Sequence, residues 1–499
     1  MGGTLPGGGP RLGSTSVAVE GTTPDATRGA TAAGTELLLE LRREEGGLRA
    51  QVEGGLREAI RSGRLEAGNR LPASRVLADD VSVSRRLVSD AYEQLRAEGW
   101  LTSRRGAGTW VAPEAPRRAA GARPPRRRGP RARPPRYDFF PGVPDLAGFP
   151  RAAWARALRD TVREAPDRTL GYPDPRGPRA LRAELAAYLR RARGLDVDPD
   201  ALVVCSGAMQ AVSLLARVLV RRGDGSGRIA VEDPSLDLLR AAAAYAGAEI
   251  VPVPVDTDGI DVAAFAATDA GAVLVTPAHQ FPTGVPLSSA RRSALMEWAR
   301  AGAGRLVIED DYSAEFRYDR PALAALQGLA PDRVAHVGSV SKALAPALRL
   351  GWLVPPPELL GDVLEARAFS DGGPPALEAL ALARLLAAGE YDRHLRAARR
   401  RYRERRVALE AALARHLPAA RITGVPGGLH APVALPAVVD ATRLTEESLA
   451  RGVAVYPLAW FAVNRPAETA AVVLGYGNLP EPGIAEGVRR FAGAVRALI

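Results

Sequence analysis

Apolar residues recur at every third or fourth position in the first part of the chain. Leu48, Val52, Leu56 and Ile60 follow this spacing, which predicts an amphipathic helix. Two glycines and a proline in the segment SGRLEAGNRLP then interrupt the pattern and predict a turn. A short helix over residues 74–80 is predicted next. The pattern therefore indicates a small helical region within the first hundred residues.

A longer helix is predicted after the turn VSVS, with apolar residues at 87, 91 and 95 on one face and Ser84 as its N-cap. The next segment, WLTSRRGAGTWVA, predicts two short strands around a glycine turn. Helix, tight turn and helix is the arrangement that places a second helix in the major groove of DNA. The polar residues that begin the helices or lie in the hairpin are predicted to contact DNA: Ser74, Arg75, Ser84, Arg85, Arg86, Arg104 and Arg105. A small helical adaptor with a solvated basic face is the alternative.

From Tyr137 onward, helical segments alternate with short apolar segments, which read ALVVCSG, RIAVED, AVLVTP, RLVIEDD and VAHVGS. This alternation predicts an α/β fold with a mainly parallel sheet. Binding sites in such folds lie at the carboxyl ends of the strands. The predicted fold class is therefore multidomain, with an α+β winged helix-turn-helix domain followed by an α/β domain.

The two domains are separated by a segment that cannot form a hydrophobic core. Residues 113–136 are almost entirely Pro, Arg, Ala and Gly, which predicts an extended linker. Its arginines either contact DNA phosphates or are simply solvated, and the sequence leaves both interpretations open. The predicted organisation is a disordered tail over 1–35, a DNA-binding domain over 36–112, this linker, and a large domain over 137–499.

Charge narrows the class of partner. A net charge of +11 and a pI near 10.3 favour a polyanion, either nucleic acid or a membrane surface. The chain contains no run of eighteen apolar residues, so no membrane span is predicted, and its N-terminus lacks the pattern of a secretory signal. Its one cysteine, Cys205, fits a reducing compartment. These features favour a cytoplasmic protein that binds nucleic acid.

Lys342 is the only lysine in a chain of 499 residues that contains 67 lysines and arginines together. An ammonium group can lose its proton and become a nucleophilic amine, whereas a guanidinium group stays charged and cannot form a Schiff base. Lys342 is therefore a candidate for covalent chemistry with an aldehyde. The alternative is that it is a remnant of compositional drift toward arginine, and its surroundings must decide.

Suitable groups follow three of the predicted strands. Residues 206–208 open a helix with small side chains, which suits a phosphate. Residues 309–312 read Glu-Asp-Asp-Tyr, and no histidine or further carboxylate motif supports a metal there, so no metal is predicted. The segment GSVSKALAPALRLG contains Ser339, Lys342 and Arg349. One cofactor, pyridoxal 5'-phosphate, requires this whole set, because its aldehyde needs a lysine, its phosphate a helix N-terminus and an arginine, and its ring nitrogen a carboxylate.

The segments SGRLEAGNRLPASRVLADDVSVSR, AYEQLRAEGWL and GAGTWV resemble the winged-helix domain of GntR-type bacterial regulators. The segments GYPDPRG, VEDP, TPAHQFPTG, IEDDYSAEFRY, SVSKALAPALRLG and LGYGNL resemble fold type I aminotransferases. The MocR regulators join these two domains, and the resemblance covers residues 36–499. It implies a homodimeric, pyridoxal-phosphate-dependent regulator of transcription that binds promoter DNA and senses an amino acid, an amine or pyridoxal 5'-phosphate itself.

The resemblance also implies roles for individual residues. Lys342 would form the Schiff base, Asp310 would bind the pyridine nitrogen, and Tyr312 would hydrogen-bond the ring hydroxyl. His279 or Gln280 either lines the ring or has a structural role. The remaining residues would hold the cofactor phosphate, the last of them from the neighbouring subunit: Ser206, Gly207, Ala208, Ser339, Arg349 and Tyr172.

Two departures from the aminotransferase pattern bear on whether the protein is an enzyme. Leu236 stands where relatives stack an aromatic ring on the cofactor, and Val473 stands where many carry the arginine that binds the substrate carboxylate. A regulator is therefore favoured over the runner-up, a working aminotransferase with an accessory DNA-binding domain. A plain repressor with a degenerate large domain is a third interpretation. The missing arginine also makes pyridoxal 5'-phosphate itself a candidate effector.

Overall fold

The structure is a computed structural model that describes residues 39, 41–42, 44, 46–104, 108–115, 135–223, 227–318 and 324–499. The chain forms two compact units, residues 1–131 and 132–499. The predicted tail, most of the predicted linker and Arg105 lie outside the described residues. The domain limits drawn from the sequence stay predictions. Among the described residues, no helix is both long and apolar enough to cross a membrane.

The smaller unit contains the helices and the hairpin that the apolar spacing predicts. Its elements are α1 (Leu48–Arg61), α2 (Ser74–Asp80), α3 (Arg85–Ala97), β1 (Leu101–Arg104) and β2 (Gly108–Val111). The spacing that predicts α1 is confirmed, because Val52, Leu56 and Ile60 are buried in one apolar cluster with residues of α3. The predicted cap is confirmed as well, since Ser84 Oγ accepts a hydrogen bond from the Leu87 N–H at 3.3 Å.

The larger unit alternates helices and strands throughout. Its helices are α4 (Arg151–Glu164), α5 (Arg179–Arg193), α6 (Ala208–Arg222), α7 (Asp237–Tyr245), α8 (Val262–Ala266), α9 (Ser289–Arg300), α10 (Pro357–Asp371), α11 (Ala376–Ala387), α12 (Glu390–His416), α13 (Ala441–Ala450) and α14 (Glu481–Arg496). Its strands are β3 (Tyr137–Asp138), β4 (Val203–Cys205), β5 (Arg228–Asp233), β6 (Glu249–Asp256), β7 (Gly259–Ile260), β8 (Ala272–Val275), β9 (Leu306–Asp310), β10 (Val334–Ser339), β11 (Gly351–Val354), β12 (Arg421–Ile422), β13 (His430–Asp440), β14 (Val453–Ala454), β15 (Tyr456–Pro457) and β16 (Glu468–Gly475).

The central sheet has eight strands in the order β4-β11-β10-β9-β8-β5-β6-β7. The pairs β10–β9, β9–β8, β8–β5 and β5–β6 are parallel, which confirms the predicted mainly parallel sheet. β11 is antiparallel to both of its neighbours, β10 and β4. All five strands predicted from short apolar segments are present. Their carboxyl ends lie along one edge of the sheet, where the candidate residues are found.

Helices cover both faces of this sheet, since its strands are apolar on both sides. Leu214 of α6, Leu239 of α7 and Val363 of α10 belong to the apolar cluster on one face. Phe265 of α8 and Trp298 of α9 belong to the cluster on the other face. Both faces of the strands are therefore buried, and their carboxyl ends are left to carry polar groups.

A second, antiparallel sheet has the order β12-β13-β16-β15 and follows the central one along the chain. It packs with α12 and α14 in the largest apolar cluster of the unit. β3 pairs in parallel with β14, which ties the start of the larger unit to its C-terminal part. This tie brings residues 140–142 close to the carboxyl end of β10, as the contact of Gly142 with Lys342 shows.

Candidate cofactor site and DNA-binding surface

A cavity of about 480 Å³ lies at the carboxyl ends of the strands in the larger unit. Asp310 ends β9, and Ser339 ends β10 just before the turn that carries Lys342. Six of the predicted cofactor residues line this cavity: Ala208, Asp310, Tyr312, Ser339, Lys342 and Arg349. They extend from position 208 to position 349 of the sequence. The fold therefore brings together six of the eleven residues that the sequence predicts at the cofactor.

Lys342 points into the space between Asp310 and the start of the larger unit. Its Nζ donates a hydrogen bond to the Gly142 carbonyl oxygen at 2.7 Å. Gly142 has a φ of 86°, and a Cβ there would lie 3.0 Å from Nζ, so the close approach requires glycine. Desolvation lowers the pKa of Lys342, and the Asp310 charge opposes this shift. A lowered pKa favours the neutral amine that reacts with an aldehyde.

Asp310 is a buried carboxylate with unused hydrogen-bonding capacity. Its Oδ1 has no hydrogen-bond partner among the described residues. Burial, together with the charge of Asp311, raises the pKa of Asp310 to about 7, and Lys342 acts in the opposite direction. A buried oxygen without a partner is costly, so this atom is suited to a ligand that supplies an N–H donor.

The other two carboxylates of the acidic run have separate structural roles. Glu309 accepts hydrogen bonds from the backbone N–H groups of Leu326 and Gln327 at 2.9 and 3.1 Å. Asp311 contacts Arg193 at 2.5 Å and His336 at 3.1 Å. Desolvation by itself would raise the pKa of Asp311. Arg193 and His336 together outweigh this effect and lower the pKa of Asp311. Among the described residues, no cluster of His, Cys, Asp and Glu has the arrangement of a metal site.

The phosphate end of the cavity is formed where β4 turns into α6. Gly207, the N-cap of α6, has a φ of 84°, and a Cβ there would lie 3.1 Å from the Arg349 guanidinium. Arg349 donates a hydrogen bond to the Ser206 carbonyl oxygen. The first N–H groups of α6 and the Arg349 guanidinium thus meet at one point, which suits an anion. Ser206 and Gly207 lie next to the cavity lining through these contacts.

The predicted ring residues separate into two groups. Tyr312 lines the cavity, and its hydroxyl lies 3.0 Å from His279 Nδ1, so His279 orients Tyr312 from behind. Desolvation raises the pKa of Tyr312. Gln280 faces the loop around Glu232: its Nε2 donates to the Pro234 and Phe281 carbonyl oxygens at 2.8 and 2.7 Å. The geometry therefore favours a structural role for Gln280.

Tyr172 does not line the cavity of its own chain. It is fully exposed, at 106% of the reference area, in the segment GYPDPRG. Such full exposure is unusual for a tyrosine, because its ring is largely apolar and is stabilised by burial. The prediction that Tyr172 acts on a neighbouring subunit stays a prediction.

The outer half of the cavity contains residues that the sequence did not indicate. Tyr456 of β15 lines it together with Trp460 and Arg465, which lie between β15 and β16. Arg465 pairs with Asp237 at 3.2 Å, and Asp237 also lines the cavity. Irregular loop residues have no periodicity, so only the fold could reveal them.

The loop that carries Arg465 is fixed to the segment between β5 and α7. The Ser235 N–H donates to the Phe461 carbonyl oxygen at 3.1 Å, and Arg240 Nη1 donates to the same oxygen at 2.8 Å. The Val463 N–H donates to Asp233 Oδ1 at 2.9 Å. These bonds hold Arg465 at the mouth of the cavity.

Val473 and Leu236 occupy apolar positions. Val473 lies on β16, fully buried in a cluster with Phe281 and Phe461, and Leu236 packs against this cluster while lining the cavity. A guanidinium at position 473 would have to enter this apolar cluster. The wall that faces the cofactor residues here is therefore hydrophobic.

In the smaller unit, several of the described residues that are predicted to contact DNA are exposed. Arg85 and Arg86 are the first residues of α3 and both are exposed, as is Arg75 in α2. Arg104 ends β1 and lies with its guanidinium 6.0 Å from the Trp110 ring centre, while Arg70 lies on the same ring at 5.8 Å. A cleft of about 960 Å³ between α2, α3 and the hairpin is lined by Ser74 and Arg70, among others. Arg70 is thus a further basic residue at this surface.

Comparison with known proteins agrees with a cofactor site in the larger unit and a DNA-binding surface in the smaller unit. Residues 142–469 match the family aminotransferase class I and II, and residues 48–111 match the bacterial regulatory proteins of the gntR family. The chain is 35% identical to the HTH-type pyridoxine biosynthesis transcriptional regulator PdxR of Corynebacterium glutamicum, over 84% of this chain and 89% of the relative. It is 32% identical to the probable rhizopine catabolism regulatory protein MocR of Rhizobium meliloti, over 88% and 91%. The chain belongs to the MocR-type regulators.

Solved structures resemble the larger unit of this MocR-type chain. An archaeal alanine:glyoxylate aminotransferase has a TM-score of 0.67 and 29% identity, covering 72% of this chain and 91% of the other. The α-aminoadipate aminotransferase LysN of Thermus thermophilus, in complex with a phosphopyridoxyl-leucine, has a TM-score of 0.66 and 29% identity, covering 72% and 92%. The fold is that of fold type I aminotransferases, as predicted, and the cofactor of this MocR-type domain is pyridoxal 5'-phosphate.

The residues of this MocR-type chain fit that cofactor. The unpartnered Asp310 Oδ1 suits a protonated ring nitrogen, and the Lys342 amine faces the same space. Gly207 leaves room beside Arg349 that any side chain would fill, where the phosphate requires space and positive charge. Pyridoxal 5'-phosphate requires three groups, and all are present: a hydrogen-bond acceptor without a partner, an amine with a lowered pKa, and an anion-binding site.

Proposed function

We propose that this chain is a cytoplasmic, pyridoxal-phosphate-dependent regulator of transcription whose larger unit senses a small molecule and whose smaller unit binds promoter DNA. One observation carries the proposal: Lys342, Asp310 and Arg349 meet in one cavity, in a chain whose smaller unit presents exposed arginines at the start of a helix-turn-helix. A cofactor site and a DNA surface in one chain are the parts that a ligand-responsive regulator needs.

The residues of the cavity divide the work of holding the cofactor. Lys342 would attach it covalently, Asp310 would accept the ring N–H, and Tyr312, oriented by His279, would donate to the ring hydroxyl. The α6 N-terminus, Ser339 and Arg349 hold the phosphate. When bound, the cofactor supplies an electrophilic carbon that reacts reversibly with amines. Attachment at one end and the phosphate cradle at the other fix its orientation.

The outer half of the cavity selects the effector. It is mostly apolar, with Leu236, Tyr456 and Trp460, and its exposed cation is Arg465. The effector is an amino acid or an amine whose nitrogen reaches the cofactor, and an acidic group on it is bound by Arg465 in place of Asp237. Position 473 supplies no charge, so binding at the ordinary carboxylate position of an aminotransferase is not supported. Pyridoxal 5'-phosphate itself remains an alternative effector.

Weak or absent turnover is expected for the same reason. Transamination requires that the substrate carboxylate be held so that proton transfer at the adjacent carbon is aligned. An arginine at the cavity mouth holds a carboxylate at a different place from one on β16. Sustained turnover is therefore not expected of this arrangement.

The functional form is a homodimer. Tyr172 is fully exposed in its own chain, and Arg349, at the phosphate end of the cavity, is exposed as well. In the dimer, Tyr172 of the partner subunit reaches this phosphate. Two smaller units in one dimer would bind two half-sites, and the effector changes how they are presented.

The test combines three measurements on the full-length holoprotein. Borohydride reduction followed by peptide mass spectrometry reports attachment at Lys342. Affinity for its own promoter fragment, with and without added amino acids, reports regulation. A coupled assay with amino-acid and keto-acid pairs reports turnover. We expect modified Lys342, a change in promoter affinity and no sustained turnover. Unmodified Lys342 overturns the cofactor role, and sustained turnover without any change in DNA affinity makes the protein an aminotransferase.

A further inference from the structure

A second cavity, of about 450 Å³, lies in the larger unit and shares no lining residue with the cofactor cavity. It is formed by the C-terminal turn of α5, the first half of α12, and the turn after β9 that contains Glu315. On α12, the lining positions 392, 395, 396 and 399 follow helical spacing, so they form one face of that helix. Two helices and a turn of a folded core therefore build this cavity.

Arginine dominates its lining. Arg191 pairs with Asp392 at 3.2 Å, and Arg193 pairs with Asp311 at 2.5 Å. Arg396 and Arg399 have no ion pair with any described residue. Arg399 Nε is buried and has no hydrogen-bond partner among the described residues. A buried guanidinium nitrogen without an acceptor is costly, so this cavity lacks a negative group.

Besides Asp392, which pairs with Arg191, the wall contains one more carboxylate, Glu315. It already accepts a hydrogen bond from the Tyr188 hydroxyl at 2.8 Å. Burial raises the pKa of Glu315, with a further contribution from Asp311, which reduces its negative charge. Glu315 therefore does not compensate both Arg396 and Arg399, and the cavity keeps an excess of positive charge.

We propose that this cavity binds a small dianion, of the phosphate or dicarboxylate class, between Arg396 and Arg399. A planar guanidinium donates two parallel hydrogen bonds to phosphate and carboxylate oxygens alike. Arg399 is half-buried and Arg396 is exposed, so one arginine forms the inner wall and the other the rim. Such a ligand would supply the acceptor that Arg399 Nε lacks. The site uses no residue of the cofactor cavity, so its existence does not rest on the function proposed above.

A short chain of contacts connects this second cavity to Asp310 in the cofactor cavity. Arg193 lines the cavity and holds Asp311, which directly follows Asp310 at the end of β9. An anion in the cavity competes with Asp311 for Arg193. Asp310 then experiences a different field, and its hold on the cofactor ring changes. Because coupling between two sites is reciprocal, the holoprotein and the cofactor-free protein differ in their affinity for the anion.

Isothermal titration of the full-length holoprotein tests the site. Borohydride reduction first fixes the cofactor, so that added anion does not enter its phosphate cradle. The probes are inorganic phosphate and succinate, with acetate as a monoanion control, and these arms distinguish the two ligand sources. The variants are R396Q and R399Q. The matched control is R400Q, an exposed arginine on the same helix outside the cavity lining. Thermal melts of all variants establish that they fold.

We expect saturable binding of at least one dianion, and a loss of about tenfold in affinity for each of R396Q and R399Q, the size of one charged hydrogen-bonding contact. R400Q should bind as the parent does. The proposal is overturned if neither dianion binds, if both cavity variants bind as tightly as the parent, or if R400Q loses as much affinity as R399Q, since that pattern reports general surface charge. A variant that fails to fold is replaced by R399K, which keeps the charge and should retain part of the binding.

Discussion

The two units of this chain place their functional groups in opposite environments. In the described part of the smaller unit, the interior is apolar and every charged side chain is outside the buried core, with Arg75, Arg85 and Arg86 exposed. The larger unit buries Glu232, three consecutive carboxylates at the end of β9, and several arginines. The DNA-contacting arginines of one unit face water, whereas the carboxylates at the cofactor site of the other are buried.

This difference follows from what each unit binds. DNA phosphates are already solvated and charged, so exposed arginines meet them at little cost to the fold. A cofactor ring needs a carboxylate that is fixed in place and shielded from water, and such a group destabilises the protein until its partner arrives. Substitutions of the exposed arginines in the smaller unit should therefore change binding alone. Substitutions of the buried carboxylate in the cofactor cavity should change cofactor binding and protein stability together.

The largest effect is expected at Lys342. Lys342→Ala removes the amine that attaches the cofactor, so the visible absorbance of the holoprotein and the borohydride-dependent mass increase should both be lost. Lys342→Arg is the control, because it keeps a cation near Asp310 but cannot form the covalent bond. Equal loss in both variants assigns the effect to the amine. Retention of a covalent adduct in either variant contradicts the assignment.

The next effect concerns Asp310 and has a defined dependence on pH. The pKa of Asp310 is about 7 in the folded cofactor-free chain, above the ordinary value of 3.8. The folded state therefore binds more protons than the unfolded state between these values, and stability falls as pH rises through this window. Above pH 7 the penalty is constant, at about 4 kcal/mol.

Asp310→Asn removes this penalty. The cofactor-free variant should gain stability relative to the parent, and the gain should grow by about 3 kcal/mol between pH 5 and pH 8. Urea denaturation at both pH values measures it, with Asp258→Asn, an exposed aspartate, as the control. The same variant should bind the cofactor more weakly. A gain that is equal at the two pH values would show that Asp310 is ionised throughout.

Sequence reasoning reached different depths in the two units. In the smaller unit, helical spacing, turn glycines and a capping serine determine the structure locally, so α1, the helix over 74–80, the cap at Ser84 and the hairpin are predicted. In the larger unit, Lys342 and Asp310 stand out because of their residue type and their position after apolar strands. Arg465 and Arg399 carry no such signal. Their surroundings are created by packing between segments that lie far apart in the sequence.

Gln280 is the opposite case, a residue that the sequence suggests for the site but whose side chain faces away from it. It follows His279 in the sequence, and both are plausible ring contacts from the motif TPAHQFPTG. The structure turns their side chains in different directions, His279 toward Tyr312 and Gln280 toward the Pro234 carbonyl. Neighbouring residues in an irregular loop have no fixed relation between their side chains. Only tertiary contacts decide which of the two belongs to the site.

The DNA surface is expected to show the next largest effect, without any change in stability. The double variant Arg85→Ala, Arg86→Ala should weaken promoter binding about tenfold to a hundredfold, and the slope of affinity against salt concentration should decrease by about 1 to 2. The melting temperature should stay the same, since both side chains are exposed and unpaired among the described residues. Arg49→Ala, on α1, is the control. A fall in melting temperature with unchanged DNA affinity would refute the assignment.

The smallest effect is expected at the ion pair of Arg465 and Asp237, and it is distinguished by its sign. Both side chains are about half exposed, so their interaction contributes no more than about 1 kcal/mol to stability. If Arg465 binds the acidic group of the effector, Asp237 competes for the same guanidinium. Arg465→Gln should then weaken the binding of an anionic effector several-fold, whereas Asp237→Asn should strengthen it. Titration of the holoprotein with β-alanine and with propylamine, which lacks the carboxylate, measures both through the change in cofactor absorbance. A purely structural ion pair predicts the same direction for the two substitutions and no difference between the two amines.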